Sequence, residues 1–187
     1  MPAAGRLKRL FLSYLSRPQP DRLLYRAVRR HRARRIVELG IGDTRRAVRL
    51  IEMAQAGEGI GPVAYTGVDL FEMRAAHERP ATTLKGTYRQ LRATGASIRL
   101  LPGDPFAALS RGANNLLGTD MLIVSADQHG EALERAWFYV PRMLHAGSLV
   151  FLETPGVKPE APSVFRQLSL EAVEALAHPR GERRRAA

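Results

Sequence analysis

Between Arg35 and Glu153 five short apolar runs alternate with stretches of helical spacing, and this alternation narrows the available folds more than any other feature. The runs are Ile36–Leu39, Val63–Val68, Ser97–Leu101, Met121–Val124 and Ser148–Leu152. They are nearly continuous in apolar character, as expected for strands buried on both faces. Helical stretches are read between them: apolar positions at Ala47, Val48, Ile51 and Ala54, then Thr83–Thr94 stopped by Gly95, Pro105–Arg111, and Glu131–His145 with Gly147 as its C-cap. Such an order predicts an α/β fold with a doubly wound, mostly parallel sheet, because right-handed crossovers place helices on both faces. In that architecture ligands bind beyond the carboxyl ends of the strands. Here every strand ends on residues with binding chemistry: Gly40 and Gly42, Asp69, Asp104, Ser125 and Asp127, and Glu153.

Two helices are expected before the first strand. Arg6–Ser16 carries Leu7, Leu10, Phe11, Tyr14 and Leu15 at helical spacing, and Pro18 and Pro20 break the chain after it. Asp21 would cap a second helix running to Arg34, with Leu23, Leu24, Ala27 and Val28 turned inward. The first stripe is narrow, so packing on the domain is preferred to lying on a membrane surface. The expected division is a basic helical extension over 1–34, an α/β domain over 35–177, and a disordered basic tail over 178–187. After Glu153, Ser163–Leu168 would supply one antiparallel strand and Ser169–Ala177 a helix.

The formal charge of +11 raises the question of nucleic acid, and its distribution answers in part. Residues 1–35 hold eleven Lys and Arg against one Asp, net +10, and residues 178–187 hold four Arg against one Glu, net +3. The remaining body is therefore at −2, so the basic charge sits on the arms. Only three of the 29 basic residues are Lys, which fits a coding bias as well as it fits phosphate contacts, and a solvated helix face is the favoured reading. The absence of Cys excludes disulfides, thiolate metal sites and cysteine nucleophiles. No apolar run reaches the roughly 18 residues of a membrane span, and Leu10–Leu15 is too short and polar for a signal peptide. A cytoplasmic location is expected.

The turn after the first strand, Glu38-Leu-Gly-Ile-Gly42, lets the backbone approach a ligand and leads into a helix N-terminus with free N–H groups. The third glycine of a dinucleotide fingerprint would fall at Arg45, and no Tyr-x-x-x-Lys pair serves hydride chemistry, so an NAD(P) oxidoreductase is disfavoured. Asp69 stands where doubly wound folds place a carboxylate for ribose hydroxyls, although a helix cap or surface turn would also use it. Asp104 could accept from an adenine amino group with Phe106 as an apolar wall; equally, Asp before Pro reads as an N-cap.

Taken in order, Glu38–Gly42, Gly67-Val-Asp69, Gly103-Asp104 and the segment around Asp127 resemble the motifs of the class I S-adenosylmethionine (SAM)-dependent methyltransferases, over roughly Arg35 to Glu153. The resemblance implies a Rossmann-like methyltransferase fold with SAM as cofactor. It places Gly40 and Gly42 along the methionine portion with Glu38 in support, Asp69 on the ribose, and Asp104 on the adenine. Leu70, Gly103, Pro105 and Phe106 would complete that wall. Thr44 stands at a position often glycine, and Asp43 and Thr44 are assigned to the amino-acid moiety instead. Ile123-Val-Ser-Ala-Asp-Gln-His-Gly-Glu131 is similar to the Asp-Gly-Asp-His-x-x-Glu segment of small-molecule O-methyltransferase-like proteins. Metal-dependent members use the first Asp of that segment, and here the position is Ser125, a poor ligand for a hard cation, so no metal is expected.

Asp127 and His129 are the candidate catalytic residues, His129 as general base, although a solvent-exposed first-turn histidine is an equal reading. His31, His77, His145 and His178 show no ligand spacing. The function expected is metal-independent methyl transfer to a small-molecule acceptor, with Phe71–Thr82 and Pro155–Pro162 as the loops nearest it. A catalytically degenerate binding or assembly domain is the alternative, favoured by Thr44, Ser125 and the short segment after Glu153. An RNA-directed enzyme using the basic N-terminus is less favoured, because no Asn/Asp-Pro-Pro-aromatic motif follows the fourth strand. A homodimer is compatible with the sequence.

Overall fold

The computed structural model describes residues 5–57, 61–74, 82–156 and 161–178. Six strands form one sheet: β1 Arg35–Leu39, β2 Ala64–Asp69, β3 Ser97–Pro102, β4 Thr119–Val124, β5 Leu144–Thr154 and β6 Val164–Leu168. Their spatial order is β3-β2-β1-β4-β5-β6; the first five are parallel and β6 pairs antiparallel with β5. The helices are α1 Arg6–Leu10, α2 Asp21–Arg30, α3 Arg45–Gln55, α4 Leu84–Arg92, α5 Pro105–Gly112, α6 Gly130–Ala136 and α7 Leu170–Ala177. This is the doubly wound, mostly parallel fold read from the apolar runs.

Successive strand residues point to opposite faces, which divides the core in two. On one face Ile36, Tyr65, Met121 and Phe151 pack against Leu24 and Val28 of α2, Leu50 and Ile51 of α3, and Leu91 of α4. On the other, Val37, Val68, Leu122 and Val150 meet Leu109, Trp137, Val140 and Val173. The strand order reverses between β1 and β4, and in this fold class ligands bind above the carboxyl ends at such a switch, here those of β1, β2 and β4.

Three expectations are corrected. The helix read over Glu131–His145 stops at Ala136 and continues only as short 3-10 turns, and β5 already begins at Leu144. Pro141 explains this: it has no N–H to donate and its ring collides with the carbonyl one turn back. His145 consequently lies on a strand, and Gly147 is inside β5 rather than a C-cap. The second N-terminal helix ends at Arg30, not Arg34, and begins at Asp21 with Pro20 in the capping position.

The third correction concerns the first stripe. Leu7, Leu10, Phe11, Tyr14 and Leu15 were expected to face the domain, and all are exposed. After α1 the chain makes a five-residue π-helical turn over Phe11–Leu15, closed by Ser16 N–H donating to the Phe11 carbonyl at 2.9 Å. Leu12 and Ser13 are thereby turned inward, and Leu12 alone of the apolar residues enters the core. Leu23 of α2 is likewise largely exposed, while Leu24 and Val28 are buried and Ala27 is half-buried. The tail beyond His178 lies outside the described residues.

Candidate functional site

The turn between β1 and α3 is built on left-handed backbone: Gly40 at φ +84° and Gly42 at φ +64°, followed by Thr44 at φ +64°. Gly40 has no room for a side chain, since a Cβ there would stand 2.5 Å from Asp127 Oδ1 and 2.9 Å from Ser125 Cβ. Gly42 opposes only open space. Thr44 adopts the conformation a glycine would, and its buried hydroxyl lies against Gln90 of α4.

Asp69 closes this turn from the end of β2. Its Oδ2 accepts from the Ile41 N–H at 2.9 Å and the Gly42 N–H at 3.3 Å. Its Oδ1 accepts from the Phe71 N–H at 3.1 Å and from Arg74 Nη2 at 2.6 Å. A carboxylate offers about four lone-pair directions, so Asp69 is saturated. Arg74 also reaches Asp127 Oδ2 at 3.1 Å and is itself almost buried. Burial works against the Arg74 charge, but Asp69 and Asp127 outweigh it and hold the guanidinium proton more firmly than usual.

A second arginine spans the β1, β4 and β5 ends. Arg46, in the first turn of α3, donates through Nε to Glu38 Oε1 at 2.6 Å and through Nη1 to Glu153 Oε2 at 3.1 Å. Its Nη2 reaches the Gly40 carbonyl at 3.3 Å and lies against Ser125 Oγ, which in turn donates to the same carbonyl at 2.6 Å. Asp21 Oδ1 of α2 is 3.9 Å away and the Phe165 ring lies under the guanidinium. Glu38 is fully buried and also accepts from the Tyr65 hydroxyl. Burial raises the Glu38 carboxyl above the usual carboxylate range, against the pull of Arg46 and Tyr65. Burial also opposes the Arg46 charge, yet Glu38, Glu153 and Asp21 prevail and raise it. Three carboxyl groups thus face one guanidinium, and burial raises two of them, Glu38 and Asp21.

Glu38, Gly40, Gly42, Asp69, Ser125 and Asp127 are therefore brought together. Gly103 joins them through its N–H, which donates to the Asp69 carbonyl at 3.0 Å. Leu70 follows directly at the half-buried start of the next turn. Asp104 serves as N-cap of α5, accepting from the Ala107 N–H at 2.8 Å, with Pro105 buried at the first helical position. Phe106 is half-buried, with the Arg135 guanidinium 3.7 Å above its ring and Tyr139 beside it. Asp43 pairs with Arg45 at the surface, away from the cluster. His129 is exposed at the N-cap of α6 and makes no capping bond. Among the described residues, no group of three or more His, Asp or Glu side chains is placed to hold a metal.

Sequence reading missed the two arginines. Arg46 carried a usable signal, because Arg45 and Arg46 open a helix at the end where its dipole disfavours cations. Such a residue needs carboxylates nearby, and Glu38 and Glu153 provide them. Arg74, on the turn after β2, carried none.

No family model matches the chain, and no curated protein does either. Solved structures are similar in fold. An O-methyltransferase from Bacillus cereus, in complex with SAH, superposes with a TM-score of 0.56 at 12% identity, covering 92% of this chain and 76% of that one. The O-methyltransferase TomG from Streptomyces achromogenes, involved in tomaymycin synthesis and in complex with SAM, gives 0.52 at 15% identity over 88% and 68%. A SAM-dependent methyltransferase from Clostridium acetobutylicum gives 0.51 at 13% identity over 78% and 53%. The chain also spans 58% of a matching Staphylococcus aureus protein, so several relatives in fold are considerably longer. At these identities the likeness establishes the Rossmann-like methyltransferase fold.

Proposed function

We propose that the chain binds SAM above the carboxyl ends of β1, β2 and β4 and transfers its methyl group to a small-molecule acceptor without a metal. The observation that carries this reading is the pairing of the Gly40-Ile-Gly42 turn with the buried Asp69 carboxylate at the switch in strand order. The fold neighbours that hold SAM or SAH support it.

The donor set fits the cofactor at one end and is contested at the other. Asp69 can receive one ribose hydroxyl on Oδ1 once Arg74 leaves it, since the backbone bonds from Ile41, Gly42 and Phe71 need not break. At the methionine end Arg46 already holds the Gly40 carbonyl, while the carboxylates around it would suit the ammonium group of the amino-acid moiety. When bound, SAM supplies an activated methyl group, and the task left to the protein is positioning. In this reading Asp127, partly exposed beside Gly40, orients an acceptor, and the exposed His129, which makes no capping bond, takes its proton.

The second reading, a methyltransferase-like domain that no longer binds cofactor, is favoured by the same arginines, because each stands on a polar group the cofactor needs. Calorimetric titration with SAH separates the two. Micromolar binding, weakened at least about tenfold in Asp69→Asn, supports the enzyme reading; a folded protein that takes up neither SAM nor SAH supports the second.

A further inference from the structure

We infer that the N-terminal cap is a docking surface for an anionic lipid membrane. The first observation is the outward stripe: Leu7 is 84% exposed and Leu15 67%, with Leu10, Phe11 and Tyr14 about half exposed between them. These side chains lie on two successive turns and leave apolar surface that none of the other described residues covers.

The second observation is what surrounds the stripe. A cleft of about 480 Å³ is lined by Leu10 together with Arg9, Arg29 and Arg30. A neighbouring cleft of about 460 Å³ joins Tyr14 and Leu23 to Arg26, Arg29 and Arg30. The Arg26 guanidinium lies 6.0 Å from the Tyr14 ring. Apolar and cationic side chains therefore share one surface, formed by α1, the π-helical turn and the end of α2. Among the described residues, Glu52 pairs with Lys8 at 2.7 Å, and Asp21 is buried against Tyr25.

Charge complementarity selects the occupant. A second copy would bring together two segments of net +10, which repel. A nucleic-acid backbone would use the arginines, but Leu7, Leu10 and Leu15 offer it neither charge nor a stacking face. An anionic bilayer uses both, taking aliphatic and aromatic side chains into the headgroup–acyl boundary while the arginines meet the lipid phosphates. Arg29 and Arg30 lie just before β1, at the amino ends of the strands, so docking leaves the carboxyl ends clear.

The test is co-sedimentation of the full chain with mixed phosphatidylcholine–phosphatidylglycerol vesicles and with pure phosphatidylcholine vesicles. Two variants accompany it, Leu10→Glu with Phe11→Glu, and Arg29→Glu with Arg30→Glu, all at exposed positions and checked for folding by circular dichroism. The protein sediments with the mixed vesicles and far less with the neutral ones. The apolar double variant loses at least about tenfold in partitioning. Each arginine near an anionic surface contributes about fivefold, so reversing both costs at least about 25-fold. No sedimentation by the folded protein overturns the inference, as does equal binding to neutral vesicles. A dimer that Phe11→Glu dissolves, or salt-sensitive duplex binding that ignores Leu10→Glu, would assign the face to a second copy or to nucleic acid instead.

Discussion

Replacing Arg46 by Met removes the one cation that, among the described residues, touches the buried Glu38 carboxylate, while keeping the length of an unbranched side chain. The guanidinium is 14% exposed and Glu38 0%, so the pair is buried and the stranded charge has no water to turn to. Removing one partner of such a pair costs about 3–5 kcal/mol. For a chain of this size that lowers Tm by roughly 6–20 °C, at about 2–4 °C per kcal/mol. The loss depends on pH, with a definite sign. Without Arg46 the folded-state pKa of Glu38, already raised by burial, rises further above its unfolded value. A carboxyl raised in this way stabilises the fold below its unfolded pKa and loses that contribution as pH rises through the folded one. Urea unfolding at pH 5 and pH 8.5 should therefore find the variant closer to the parent at the lower pH. Adding Glu38→Gln removes the stranded charge, keeps an acceptor for the Tyr65 hydroxyl, and should recover at least half of the loss. A loss below about 1 kcal/mol, or one equal at both pH values, would refute the view that Arg46 neutralises Glu38.

Gly40→Ala should destabilise the protein by more than about 2 kcal/mol in denaturant titration, because left-handed backbone and the Asp127 contact act together. Asp21 is raised by burial, with Arg46 and the Tyr25 hydroxyl pulling the other way, so its ionisation costs stability as pH climbs from about 4 through its folded-state range. Asp21→Asn should flatten that slope in pH-dependent melting, and an unchanged slope would exclude Asp21 as its source. Arg74→Ala should tighten SAH binding by about tenfold in calorimetry, because it frees one acceptor position on Asp69 Oδ1; weaker binding would show that Arg74 helps hold the ligand.

The sheet was legible because a strand buried on both faces is nearly continuous in apolar residues, as Met121–Val124 is throughout and Ile36–Leu39 is apart from Glu38. Boundaries set by a single residue were harder. Pro141 cut a helix that periodicity extended to His145, and a π-helical turn rotated a regular apolar stripe out to solvent. Neither effect is visible in spacing alone. At the site, residues held by backbone demands were readable: glycines where φ is positive, and Asp69 opposite them. The arginines' partners were not, because those of Arg46 come from β1, β4 and β5 and those of Arg74 from β2 and the segment after β4, and only folding brings these together.

The most direct test of the central claim is a crystal structure of the protein grown with SAH. The account predicts the nucleoside above Gly40 and Gly42, a ribose hydroxyl on Asp69 Oδ1 beside the Phe71 N–H, and the Arg74 guanidinium moved off that oxygen. Crystals grown at saturating SAH in which Arg74 still bridges Asp69 and Asp127, with no SAH above the strand ends, would contradict it.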